Sequence, residues 1–99
     1  MVVIIFRSRL AAGHDDEYEA TSKRMIELAS AMPGFVSFKT FAAPDWERVS
    51  IIEFESEQTA AEWRNHPEHK QAQRRGREAF YDRYSIQVCH EVRSYGFER

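Results

Sequence analysis

The sequence predicts an α+β domain of order β-α-β-β-α-β, with its helical regions on one face of a four-stranded antiparallel sheet. Three observations lead there. Runs at residues 2–10, 35–43, 46–55 and 84–92 read as strands, whose side chains fall on two faces with a period of two. Between them, the stretches from Asp15 to Met32 and from Glu57 onward carry apolar residues near helical spacing. The first half of the first strand is apolar on both faces, so it wants cover on both sides, and helices on one face supply only half of that.

The first strand sets Val2, Ile4, Phe6, Ser8 and Leu10 on one face and Val3, Ile5, Arg7 and Arg9 on the other. A loop broken at Gly13 follows. Asp15, Asp16 and Glu17 then crowd the positive end of a helix, where acidic groups are favoured. Tyr18, Met25, Leu28, Ala29 and Met32 recur along its inner side, while Ala20 to Arg24 largely face out. Pro33-Gly34 ends it. In the second strand Phe35, Ser37, Lys39 and Phe41 alternate with Val36, Phe38, Thr40 and Ala42. Pro44-Asp45 marks a turn, and the short link makes strands two and three an antiparallel hairpin.

Ser56 caps the next helix, which Asn65-His66-Pro67 interrupts. Pro67 suits the first turn of a further helical segment, with His66 or Asn65 as its cap, and Gly76 ends or bends that segment. Phe80 and Tyr81 lead into the last strand, where Tyr84, Ile86, Val88, His90 and Val92 share a face. Tyr95 and Phe97 extend an aromatic tail. This is the split βαβ, or ferredoxin-like, sandwich, in one domain over residues 1–99. The outer sheet face also carries Val, Ile and Phe, more than a monomer usually leaves bare. A two-fold partner presenting the same face covers it most simply, so a homodimer is expected.

Composition bounds the function classes. At 42% hydrophobic and 30% charged the 99-residue chain is globular and not disordered. A net charge of -2 supplies no basic field for nucleic acid or an acidic membrane surface. The Arg74-Arg75-Gly76-Arg77 run lacks an aromatic stacking platform and reads as a solvated helix face. No apolar stretch approaches the roughly 18 residues of a membrane helix. The apolar start lacks a basic region and a small-residue cleavage site, so it is expected to be a strand and not a signal peptide. Cys89 is the only cysteine, which fits a reducing compartment, and a cytoplasmic location is expected. There is no glycine-rich phosphate loop, nucleophile elbow or carboxylate dyad.

The segment Trp63-Arg64-Asn65-His66-Pro67-Glu68-His69-Lys70-Gln71-Ala72-Gln73, with the strand that follows it, resembles the antibiotic biosynthesis monooxygenase family. So do Val3-Ile4-Ile5-Phe6-Arg7-Ser8-Arg9-Leu10 at the start and Met32-Pro33-Gly34-Phe35 before the second strand. The resemblance covers essentially the whole chain. It implies a dimeric α/β barrel with a pocket between the sheet and helices of each subunit. Some members of that family oxidise aromatic polyketides or quinols with dioxygen and without metal or organic cofactor, and a related branch binds and degrades haem. That branch uses an Asn on the first strand, a Trp in the second helical region and a His ten residues beyond it. Here the three positions hold Ser8, Trp63 and Gln73, so the iron ligand is missing.

The expected site follows. Trp63 is placed in the pocket wall by the resemblance, to pack on a substrate ring. His66 or His69 is the acid/base candidate, because imidazole titrates near neutral pH. Ser8, Gln73 and Tyr81 would orient substrate oxygens, and Met25 and Phe80 would supply apolar lining. A metal shared by His66 and His69 would still need a third ligand, and neither Glu62 nor Glu68 is compelling, so no metal and no cofactor are expected. The leading expectation is a cofactor-independent monooxygenase acting on a small aromatic, quinol-like molecule with dioxygen. The alternatives are a non-catalytic dimer that holds a small apolar ligand, and a haem-binding protein without the usual proximal histidine. No nucleic-acid or membrane partner is expected.

Overall fold

The computed structural model of the chain describes residues 1–99. Its elements are β1 (Val2–Leu10), α1 (Asp15–Ala31), β2 (Phe35–Ala42), β3 (Arg48–Phe54), α2 (Glu57–Arg64), α3 (Pro67–Arg75), a π-helical turn (Gly76–Phe80) and β4 (Tyr81–His90). The four strands form one antiparallel sheet in the order β2-β3-β1-β4. This is the ferredoxin-like α+β architecture that the sequence predicts. No helix is long and apolar enough to cross a membrane.

Register fixes which side chains face the helices. Ile4 lies opposite Ile52 on β3 and Val88 on β4, and Phe38 lies opposite Ile52 from β2. These residues share the helix side, where Val2, Ile52 and Phe54 join Leu28 and Ala29 of α1 and Ala60 and Trp63 of α2 in one core. Burying a side chain the size of Phe54 contributes about 1.5–3 kcal/mol. The opposite face carries Val3, Ile5, Val49, Ile51 and Phe41, and nothing in the subunit covers it.

Local chemistry sets the element ends. Ser56 and Thr59 form a reciprocal capping box at the start of α2. The His66 ring accepts the Glu68 N–H through Nδ1 and so caps α3, with Pro67 in the first turn. Gly34 has φ +82°, and an added Cβ would sit 2.6 Å from Thr59 Oγ1. Only glycine lets the chain turn from α1 into β2 so close to α2.

Several placements differ from the sequence reading. β3 begins at Arg48 and not at Trp46, because Trp46 sits in the hairpin turn with φ 70° and is 81% exposed. β4 begins at Tyr81, where a register shift beside Arg9 and Leu10 lets Tyr81 pair with Leu10. It ends at His90, so Val92, Tyr95 and Phe97 lie beyond the sheet. On α1, Thr21 and Ser22 are half-buried and face inward, contrary to the outward placement expected of residues 20–24.

Candidate functional site

A cavity of about 350 Å³ lies between the sheet and the helices, a size suited to a small organic ligand. Its floor is Ile4 and Phe6 of β1, Phe38 of β2, Ser50 and Ile52 of β3, and Tyr84, Ile86 and Val88 of β4. One wall is the α1 row Tyr18, Thr21, Ser22 and Met25, whose spacing of three and four residues puts them on one helix face. The opposite wall holds Trp63 and Arg64 from α2 with His69, Ala72 and Gln73 from α3. Phe80 and Tyr81 close one end. The helices cover β1 and β3 better than β4, so Ile86 and Val88 remain 54% and 47% exposed at the mouth. Two bidentate ion pairs tie α1 to α3 across this roof. Arg24 grips Glu68 at 2.7 and 2.8 Å, and Arg75 grips Glu17 at 2.5 and 2.7 Å. Each guanidinium holds its carboxyl partner below the usual carboxylate range.

Two polar corners break the apolar lining. In the first, the Trp63 indole stacks on Phe54 at 5.7 Å and meets the His69 ring at 4.3 Å between centroids. Its N–H is buried and has no hydrogen-bond partner. A donor left unpaired inside a fold costs free energy, so a group that accepts from it is favoured there. The Gln73 amide nitrogen lies 3.0 Å from the Arg64 carbonyl oxygen and 2.5 Å from His69 Nδ1. Burial pushes the His69 pKa down to about 4; the Arg64 carbonyl opposes this, while the charges of His66 and Arg64 add to it. His69 is therefore neutral at pH 7.

In the second corner the Tyr81 ring meets Phe6 at 5.4 Å, Tyr84 at 5.6 Å and Tyr18 at 6.0 Å. Burial, reinforced by neighbouring Tyr18, raises the Tyr81 hydroxyl well above the usual phenol range, so it stays protonated and able to donate. Arg48 sits behind Tyr18 at 5.7 Å from its ring, and its Nε is buried without a partner. Gly76 belongs to this corner, since a Cβ there would stand 2.8 Å from the Tyr81 ring. The π-helical turn carries the chain past this close approach and delivers Phe80 and Tyr81 to the cavity, a role that such turns often serve at ligand sites.

Of the side chains singled out from the sequence, Trp63, His69, Gln73, Tyr81, Met25 and Phe80 gather on the cavity wall. Ser8 and His66 do not. Ser8 is buried toward the far end of β1, between Arg48 and Tyr84 in register, and is not part of the lining. The Nδ1 of His66 is occupied as the α3 cap, and the ring stays outside the cavity. The sequence reading missed Tyr18, Thr21 and Ser22, although their spacing with Met25 was the available signal. No three His, Cys, Asp or Glu side chains come together as a metal-binding group. The residues do not fit the haem-degrading arrangement either, because Gln73 supplies no imidazole and is bonded to His69 and to α2.

The chain matches the antibiotic biosynthesis monooxygenase family over residues 1–75. It belongs to that family. A curated relative, the uncharacterized protein YqjZ of Bacillus subtilis, is 30% identical over 86 residues, covering 87% of this chain and 75% of the relative. Among solved structures, Rv0793 of Mycobacterium tuberculosis superposes with a TM-score of 0.83 at 19% identity, covering 96% of this chain and 98% of that one. SnoaB of Streptomyces nogalater, described as a cofactor-independent oxygenase, superposes with a TM-score of 0.79 at 16% identity and 94% coverage of both chains. At these identities the structural likeness speaks for the fold of an antibiotic biosynthesis monooxygenase, and the chemistry has to be argued from the cavity.

Proposed function

We propose that this family member is a cofactor-independent monooxygenase of a small, flat aromatic molecule carrying an oxygen on its ring. The observation that carries the reading is the unpartnered Trp63 N–H in the wall of an otherwise apolar cavity. A ring fills the apolar space between Phe6, Met25, Phe38 and Phe80, and its oxygen accepts from Trp63 or Tyr81. The substrate anion passes one electron to dioxygen, and the two radicals join as a peroxide on a ring carbon. Loss of water from that peroxide leaves a carbonyl. One oxygen atom is then retained and the other leaves as water, whose two hydrogens are the proton first lost from the ring hydroxyl and returned to the peroxide, and the one hydrogen of the oxidised ring carbon. The protein's work is to desolvate the ring, hold it and donate to its oxygen. The family match and the likeness to SnoaB support this reading. Metal-free protein should take up oxygen with one or more members of a phenol and quinol panel. No uptake across the panel would sink the proposal.

One observation favours a second reading, a binding module without turnover. Neither perturbed titratable group in the cavity ionises near pH 7, since His69 is held neutral and Tyr81 is held protonated. Proton removal would then fall to the substrate's own acidity. An aromatic ligand that copurifies unchanged in air would support this alternative.

We further propose a homodimer through the uncovered sheet face, supported by Val3, Ile5, Val49, Ile51 and Phe41 lying there without a lid. Sedimentation at micromolar concentration should give twice 11.7 kDa, and a clean monomer would remove the idea. We assign the protein to the cytoplasm, on the strength of its lone Cys89.

A further inference from the structure

We propose that Gln73 is a positioning residue that locks His69 in the tautomer with hydrogen on Nε2, making the imidazole a second neutral donor beside the Trp63 N–H. The Arg64 carbonyl at the end of α2 fixes the orientation of the Gln73 amide. A carbonyl oxygen only accepts, so the group 3.0 Å from it must be the NH2 of the Gln73 amide and not its oxygen. That orientation fixes the other contact. The same NH2 lies 2.5 Å from His69 Nδ1, so Nδ1 is the acceptor and carries no hydrogen. In a neutral ring the hydrogen must then reside on Nε2.

The neutrality has its own support. His69 packs edge-on to Trp63 at 4.3 Å and lines the apolar cavity. Burial disfavours its charged form most, the charges of His66 at the start of α3 and Arg64 at the end of α2 add to this, and the Arg64 carbonyl, which the Gln73 NH2 also engages, opposes it without outweighing the burial. No carboxylate pairs with the ring among the ion pairs of the fold. The corner therefore offers two uncharged donors, one from Trp63 and one from His69. It suits an oxygen that only accepts, such as a ring carbonyl or a phenolate, and it disfavours an ammonium or another donor. The inference rests on the proposed aromatic-ligand reading of this cavity, and it assigns His69 the role of donor in place of acid/base.

Nitrogen-15 NMR of the ligand-free, full-length protein tests it without reference to turnover. The His69 ring should show the Nε2–H pattern alone, constant from about pH 5 to 8, the window in which an ordinary histidine titrates. A coupling through the hydrogen bond should connect Gln73 Nε2 to His69 Nδ1. Hydrogen on Nδ1, a mixture of tautomers, or no such coupling overturns the proposal. Gln73→Glu supplies a second test, since a carboxylate there demands hydrogen on Nδ1. It should invert the tautomer and move the His69 titration upward. Gln73→Leu should lower the Nε2–H population. Full retention of the wild-type tautomer in Gln73→Leu would reduce Gln73 to a cap on α2. If either variant fails to fold, the wild-type coupling still decides. A locked tautomer with no oxygen uptake would retain this inference while removing the oxygenase reading.

Discussion

Acid should destabilise this protein in part through one buried imidazole. His69 is neutral in the fold, with its pKa lowered from 6.5 to about 4, so between those values the unfolded chain binds a proton that the folded chain refuses. Stability therefore rises with pH through this window. The contribution is fully present above pH 6.5 and is lost as pH falls toward 4. A shift of about two and a half units, at about 1.4 kcal/mol each, makes the loss about 3 kcal/mol by pH 4. Glu17, Glu68 and Asp45 are also held below the usual carboxylate range, so their loss of stability in acid accompanies it. A comparison with His69→Gln, which cannot titrate, cancels those shared contributions. Urea unfolding of both proteins at pH 7, 6, 5 and 4, at one fixed protein concentration, is the assay. The stability difference between wild type and variant should fall by about 3 kcal/mol across the series. With a slope of about 1–3 kcal/mol per molar urea, that is a relative midpoint shift of about 1–3 M. A change below about 1 kcal/mol, less than one pKa unit, would refute a neutral buried imidazole.

Two further outcomes follow from the same geometry. Gly34→Ala should cost more stability than Gly13→Ala on thermal melting, because both have positive φ but only Gly34 would drive a Cβ into Thr59. The shared strain is about 1–2 kcal/mol, and an equal loss at the two sites would contradict the close packing. Trp63→Phe removes the N–H that has no partner in the free protein. It should weaken calorimetrically measured binding of a naphthol probe about three- to tenfold, the worth of one net hydrogen bond; an unchanged Kd would mean that the ligand does not use that donor.

The fold was more legible than the site. The apolar run at Val2–Leu10 and the alternation on either side of the Pro44-Asp45 turn mark strands locally, and Pro33-Gly34 stops a helix for local reasons. Site residues depend on register and helix rotation, which local pattern specifies less well. Ser8 has the right face of β1 but lies too far along it, where Arg48 and Tyr84 flank it. His66 and His69 look equivalent in the sequence, yet one turn of α3 separates a helix cap from a cavity wall. The spacing of Thr21 and Ser22 from Met25 puts them on its face of α1, but their polarity argues for water, and only the cavity beneath them explains why they face inward. Tyr81 starts β4 directly after the π-helical turn, ahead of the Tyr84 start expected from the sequence, because it pairs with Leu10 across a register shift that no local pattern reveals.

The roof gives the cavity an unusual door. α3 contributes no buried residue to the core, and the two pairings that bind it to α1 are ionic and lie at the surface. The chamber is thus shut by charge and floored by oil. Apolar packing holds the core, while salt, whose screening length shortens from about 30 Å at 0.01 M to about 3 Å at 1 M, weakens this latch as it weakens the Arg7–Glu47 and Arg9–Asp45 pairs beside the hairpin. Of the walls of the chamber, α3 is therefore the one whose hold depends most on the ionic strength of the surroundings.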